Sequence, residues 1–481
     1  MSKGFLSRIR VPHVFTLLTG VILFSSLLTW VIPSGSYERQ TMQVGQLERS
    51  VIIPNSYEQV PKHYSLQGIL SPDAPEGRAS PVGLQGFLSA IPRGMEAAAD
   101  IIFFIFVVGG VFGILSRTGA IVSGIHHLLN RFRNSGPMLT IILMSAIAVG
   151  GSTLGMGEEF IPLVPIFLIV SKEMGYDRVF GLALVFVAAE TGFAAATTNP
   201  FTVNVAQSIA ELPLNSLMGF RLIFLVCSLA VVLTYVLRYG ARVRLDRANS
   251  VMPDDAFELA ESSVEIEAFN SRHRLILISC VAIFAFILYA VQAHGWWMAE
   301  MGGGFLLMGF VAVWISGISI ADAARAMARG MEDMVVAALV VGFARGVQVV
   351  LSDAMVLDSI VFYAALFLEN FSTYVAAAGM FFFQTILNFF IPSGSGQAAV
   401  TMPIMAPLAD VLGLSRQVAV FAFTCGDGFS NTIIPTSGIL MAMLGLGGIP
   451  YEKWLKFMVP LFLRLALLAI VFLTIAVALK L

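Results

Sequence analysis

Apolar runs of membrane-crossing length, joined by polar connections, dominate the chain. They fall near residues 12–32, 98–116, 138–172, 179–199, 218–238, 274–293, 302–318, 334–351, 374–412, 416–436 and 456–480. A helix rises about 1.5 Å per residue, so roughly 20 apolar residues cross a hydrocarbon core about 30 Å thick. The pattern predicts an all-α polytopic membrane protein. Two runs are interrupted. Residues 138–150 and 160–172 are each about 13 long, only about 20 Å of helix, and GGSTLGMGEE lies between them. The pair predicts a re-entrant hairpin with its tip at mid-membrane. TYVAAAGMFFFQTILNFF (373–390) and QAAVTMPIMAPLADVL (397–412) flank IPSGSG (391–396) in the same manner. Irregular backbone at that depth is tolerated only inside protein or beside a water-filled cavity.

Two other runs are broken by polar residues. GDGFSNTIIPTSG (426–438) carries Pro435, and ETGFAAATTNPFTVN (190–204) carries Pro200. Proline removes a helix hydrogen bond, so each stretch predicts a discontinuous helix whose half-helix ends face the midplane. Nine full spans and two hairpins account for all the runs.

Composition agrees with this setting. Of the 481 residues, 57% are hydrophobic and 12% charged, against about 25% charged for an average soluble domain. The mean hydropathy is +0.85. A net charge of −2 gives no basic surface for nucleic acid, and three scattered cysteines imply neither disulfides nor a transition-metal site. Lys3, Arg8 and Arg10 precede a first apolar run too long for a signal peptide, which places the N-terminus inside. Lys172, Arg178, Arg238, Arg242, Arg244, Arg247, Arg325, Arg329, Lys453 and Lys456 mark the same side, whereas 199–217, 294–301 and 351–373 carry no Lys or Arg. The C-terminus is then outside. Segment 33–90 forms an outer loop, and the acidic 239–272 a cytoplasmic linker.

An internal repeat organises the runs. RGME occurs at 93–96 and again 236 positions later at 329–332; the same offset carries Gly110 onto Gly346, Ser116 onto Ser352, and the GF of 192–193 onto that of 428–429. Loop charges place the two RGME copies on opposite sides. Residues 1–238 and 273–481 therefore read as inverted repeats, the architecture of secondary transporters. Two tips and two breaks should converge on one polar site. The candidates are Ser152, Thr153, Gly157, Glu158 and Glu159 at the first tip, and Ser393, Gly394, Ser395 and Gln397 at the second. At the breaks they are Glu190, Thr197, Thr198 and Asn199, and then Asp427, Ser430, Asn431, Thr432, Thr436 and Ser437.

The stretches GSTLGMGEEFIPLVPIF, AAETGFAAATTNPFTVN, NFFIPSGSGQAAVTMPIMAPL and GDGFSNTIIPTSGILMA together resemble the DcuC/YfcC-type, C4-dicarboxylate anaerobic carrier-like family, over nearly the whole length. That family is related to the ion transporter superfamily containing the divalent-anion/sodium symporters. The resemblance implies a homodimer in the bacterial inner membrane, with a scaffold part, a moving transport part and elevator-type alternating access. In the sodium symporters, Ser-Asn-Thr triplets at the hairpin tips surround substrate and sodium. Here the only such triplet, Ser430-Asn431-Thr432, falls in a broken helix instead.

Charge within the spans bears on the substrate. Glu158, Glu159, Glu190 and Asp427 stand against Arg345, taken as the only basic residue well inside a span. Intramembrane acids face cavities or partners, and an acid-rich site suits an ammonium group, sodium or a proton rather than a dianion. The expectation is a secondary transporter for a small carboxylate-bearing metabolite, an amino acid with a basic one as the narrower option, driven by a cation gradient or by exchange. Sodium would lie near Asn199 and Asn431. A C4-dicarboxylate carrier and a passive channel remain the alternatives. The six histidines lie at span ends or in loops, and neither H-E-x-x-H nor G-x-S-x-G occurs, which argues against an enzyme.

Overall fold

The computed structural model describes residues 13–44, 47–131, 135–257 and 269–481; Lys3, Arg8, Arg10 and part of the 239–272 linker lie outside these. The first half begins with α1 (Val14–Leu28), followed by four short strands, β1 (Ser34–Ser36), β2 (Arg39–Val44), β3 (Leu47–Ile52) and β4 (Glu58–Val60). It continues with α2 (Leu84–Ala97), α3 (Ala99–Arg117), α4 (Ala120–Arg131), α5 (Gly136–Leu154), α6 (Val164–Glu173), α7 (Arg178–Leu182), α8 (Ala188–Ala194), α9 (Val203–Ile209) and α10 (Met218–Leu245). After the linker come α11 (Ser271–His294), α12 (Met298–Ser316), α13 (Ile320–Asp333), α14 (Val335–Asp353) and α15 (Leu357–Leu368). The last elements are α16 (Thr373–Asn388), α17 (Gly394–Val411), α18 (Arg416–Ser430), α19 (Gly438–Gly447) and α20 (Tyr451–Ala478). Among the described residues, seven helices (α3, α5, α10, α11, α12, α14 and α20) are long and apolar enough to cross a membrane.

The helix ends follow from local chemistry. Ser319, Ser393, Ser415 and Ser437 each turn a side-chain oxygen to a first-turn N–H, and Gly155, Gly295, Gly317 and Gly448 close helices in the left-handed region. One expectation needs correction here. The first hairpin's leading arm is not about 13 residues long, because α5 runs for 19, through Gly150 and Gly151. Its tip is the short turn at 155–157, after which a 3-10 segment, Glu158–Leu163, leads into α6.

Helices α2 and α13 are both 14 residues long and α3 and α14 both 19, each pair 236 positions apart, and the paired helices are joined at Ala98 and Met334. Packing is reciprocal: α2 lies on α14 and α13 on α3. A Cβ on Gly94 would come 2.4 Å from the Gly342 carbonyl oxygen, and one on Gly330 would come 2.3 Å from that of Gly109. Glycine lets the backbones touch at both crossings. Around this unit, α5 packs on α8, α16 on α18, and the 28-residue α10 and α20 flank them.

Two antiparallel strand pairs, β1 with β4 and β2 with β3, form the segment after α1. It is tied to the start of α15. Arg39 donates to both Asp358 oxygens (2.7 and 2.9 Å), and the Tyr37 amide donates to the same carboxylate. Tyr57 stacks on Phe362 at 4.0 Å and bonds Ser359 through its hydroxyl. Lys62 donates to the Thr29 and Ile32 carbonyls at the end of α1, and burial pushes its pKa down to about 8. Those two carbonyls replace the water that burial removes.

Candidate functional site

A cavity of about 390 Å³ opens between the two hairpin tips, the second helix break and a wall made by α3, α12 and α14. From the first tip come Gly155, Glu158 and Glu159; from the second, Ser393, Gly394 and Ser395; from the second break, Asn431, Thr436 and Ser437. The wall supplies Asp100, Met301 and Arg345, with Trp297 just ahead of α12. Its volume suits a small metabolite.

Part of this cavity's lining comes from helix N-termini. Ser393 caps α17 and Ser437 caps α19, and first-turn residues of both helices, Gly394 and Ser395 on one and Gly438 on the other, line the space. Such ends carry partial positive charge and favour carboxylates. Another part of the lining is acidic. Glu158 lies within electrostatic reach of Asp100 and Arg345, Glu159 Oε2 accepts the Gly157 amide at 2.9 Å, and the Trp297 indole donates to Asp100 at 3.2 Å. Arg345 donates to Gln348 at 2.7 Å.

Behind the second break, Asn388 at the end of α16 organises the polar groups. Its amide nitrogen donates to the Asp427 carbonyl (2.8 Å), Ser430 Oγ (2.8 Å) and Asn431 Oδ1 (2.7 Å). Asn431 in turn donates to Glu190 at 3.2 Å, which joins the two breaks. Asp427 is fully buried, and neither its Oδ2 nor Thr202 Oγ1 has a hydrogen-bond partner among the described residues. Both residues crowd Gly394: a Cβ there would meet a Thr202 methyl at 2.6 Å and Asp427 Oδ2 at 3.1 Å. The second tip therefore rests on an unpaired carboxylate oxygen, and buried polar atoms of this kind call for water or an ion.

Other candidates hold the frame and do not line the space. Ser152 Oγ donates to the Ala195 carbonyl (2.8 Å) and accepts the Thr197 amide (3.1 Å), and Thr198 donates to the Thr153 carbonyl (3.1 Å). These bonds strap the first break to the end of α5. Asn199 is buried against Gly155, with Oδ1 accepting the Phe201 amide. Gly157 packs on Ile439, and Gln397 bonds Gln384. Ser430 and Thr432 donate to carbonyls of their own helix turn. Glu190 and Asp427 stand one layer behind the lining. From the first break only Phe193 and Phe201 reach the cavity.

Sequence reasoning missed Asp100, Trp297 and Asn388. Asp100 and Asn388 stand near the ends of apolar stretches (98–116 and 373–390) and Trp297 in the connection between 274–293 and 302–318, where polar residues carry no signal. Arg345 also has company within the helices: Arg221, 2% exposed in α10, points to the Ala196 carbonyl (3.4 Å) and lies over the Phe421 ring (5.9 Å), and Arg464 stands midway along α20.

Comparison with known proteins gives the following. A model of the C4-dicarboxylate anaerobic carrier family matches residues 11–478. The Escherichia coli K12 protein named "Putative basic amino acid antiporter YfcC" is 34% identical, over 93% of each chain. An uncharacterized Haemophilus influenzae protein is 28% identical, over 97% of each. Two solved structures are more distant: the Alcanivorax borkumensis YdaH transporter (17% identity, 97% of this chain and 99% of that one, TM-score 0.45) and Neisseria gonorrhoeae MtrF (16%, 97% and 95%, TM-score 0.43). Matched by its model almost end to end, the chain belongs to the C4-dicarboxylate anaerobic carrier family and is a multi-span membrane transporter.

Proposed function

We propose that this transporter carries an amino acid, a basic one in the narrower reading, and that the cavity between the hairpin tips is its substrate site. The observation that carries this is the cavity's mixed lining, helix N-termini together with acids. Helix N-termini at Ser395 and Gly438 suit an α-carboxylate, while Asp100, Glu158 and Glu159 suit ammonium or guanidinium groups. A C4-dicarboxylate would bring its second carboxylate against those acids, with Arg345 as the single cation of the lining. The Escherichia coli relative, named for basic amino acid antiport, favours the same reading.

The coupling cation, sodium or a proton, is assigned to the breaks. Asp427 is our first choice because of its unpartnered oxygen, with Glu190 and the amides of Asn431 and Asn199 beside it. Residues 1–238 and 273–481 act as inverted halves around linker 239–272, in a homodimer with the N-terminus cytoplasmic and the C-terminus outside the inner membrane. The hairpins and broken helices move as one body past α2, α3, α13 and α14, in an elevator stroke.

Ligand-induced thermal stabilisation of the purified protein tests the substrate class. Arginine or lysine should raise the melting temperature and succinate should not. Glu158→Gln should weaken the basic ligand at least about tenfold, the scale of a lost charge-assisted hydrogen bond. Stabilisation by succinate alone, undiminished in Glu158→Gln, would replace this reading with the dicarboxylate one.

A further inference from the structure

We infer that a groove between α10 and α20, which shares no lining residue with the substrate cavity, binds the phosphate of an anionic membrane lipid. The groove measures about 810 Å³ and is lined by Thr234, Tyr235, Arg238, Arg242 and Arg464, the rest being alanine and valine. Among the described residues no acid lines it, and none of the three arginines has a carboxylate partner.

The two helices run antiparallel, since Phe224 meets Phe472 while Tyr235 reaches the Phe457 carbonyl at 2.7 Å. Arg464 is the deepest of the three: the two contacts set it level with the turn of α10 that holds Ala230 and Val231, and it lies about 20 Å along α20 from Tyr451, at about 1.5 Å per residue. A helical side chain leans toward its helix N-terminus. Arg464 does so, with its guanidinium bonded to the Pro460 carbonyl at 2.6 Å and held 5.1 Å from the Tyr235 ring. Its charge is thus carried toward the end of α10 where Arg238 and Arg242 stand, and all three charges line one groove.

Both helices pack inward on the broken-helix unit, through α8 and α18, and present Leu222, Val226, Leu463 and Leu467 exposed on the outer side. Such a surface faces acyl chains. A groove with apolar walls, open to lipid and ending in three arginines, has the chemistry of a phospholipid headgroup site. A soluble anion would find the charges but leave the apolar walls uncovered.

Native mass spectrometry and thermal denaturation of the intact transporter, with phosphatidylglycerol, phosphatidylcholine or millimolar inorganic phosphate added, test this. Phosphatidylglycerol should be retained and raise the melting temperature by several degrees, with little effect from the other two. The triple variant Arg238→Gln, Arg242→Gln, Arg464→Gln should lose both retention and shift. If the triple variant does not fold, Arg242→Gln alone, at an exposed position, should still lower retention. Wild-type retention in the variants, or an equal shift from inorganic phosphate, would overturn the assignment.

Discussion

Gly192→Ala will leave little folded transporter, although it adds one methyl group to a helix. Glycine in a helix interior costs about 0.5–1 kcal/mol relative to alanine, so propensity alone predicts stabilisation. The crossing of α5 and α8 reverses the sign. A Cβ on Gly192 would come 2.0 Å from the Ala148 carbonyl oxygen and 2.9 Å from the Ser152 nitrogen, and one on the facing Gly151 would come 2.4 Å from the Ala189 oxygen. Backbone atoms cannot rotate aside as a flexible side chain can. Relief requires the two helices to separate, which breaks the straps from Ser152 to Ala195 and Thr197. A loss of about 4 kcal/mol or more is expected, the range of overpacked cores with broken buried bonds. Monodisperse yield and melting temperature after detergent extraction provide the check. Gly303→Ala in α12, where nothing lies within 4 Å of the added Cβ, should behave as wild type.

Asp427→Asn should separate coupling from translocation. The substitution keeps the size of the side chain and removes the charge that an unpartnered, buried Oδ2 presents beneath the second tip. A carboxylate that holds the driving cation is the link between gradient and substrate, and a coupling equilibrium lost at one site is lost for both ligands. In proteoliposomes the variant should fail to accumulate substrate above its equilibrium level while still exchanging labelled for unlabelled substrate. A tenfold accumulation corresponds to about 1.4 kcal/mol of coupling, so its disappearance is easily read. Running the assay under a sodium gradient and, separately, under a proton gradient identifies the ion. Wild-type accumulation by Asp427→Asn under both gradients would remove this residue from the coupling step and leave Glu190 as the remaining acid beside Asn431.

Much of the site was legible in the sequence because a membrane imposes a strict contrast. Ser, Gly and Pro within apolar runs have no ordinary place there, and the breaks at 195–202 and 431–437 and the second tip at 391–393 fall where those residues cluster. The first tip was drawn to begin too early because paired glycines resemble a helix end, although its later part, 155–159, holds the observed turn. In the fold, Gly151 stays helical, its missing side chain being required for contact with α8. Asp100 was invisible for another reason. It follows Ala99 beside the joint of α2 and α3, which looks like the edge of a span, yet it stands on the cavity wall and accepts the Trp297 indole. Arg221 likewise stands at the start of an apolar run, and only the packing of α10 on α8, with its Phe224 against Phe421 of α18, reveals that it is buried. Lining and framing residues share the same types, so Ser152 and Thr197 could not be told from Ser395 and Thr436 without coordinates.

Counterflow in proteoliposomes reaches the central claim most directly: the cavity between the tips selects an amino acid and passes it by a carrier mechanism. Vesicles loaded with unlabelled arginine or lysine should draw in the labelled form transiently above equilibrium, with saturation. Glu158→Gln, in the acidic part of the lining, should lower that exchange at least about tenfold. Counterflow supported by internal succinate but by no amino acid, or a non-saturating flux indifferent to internal substrate, would contradict the account.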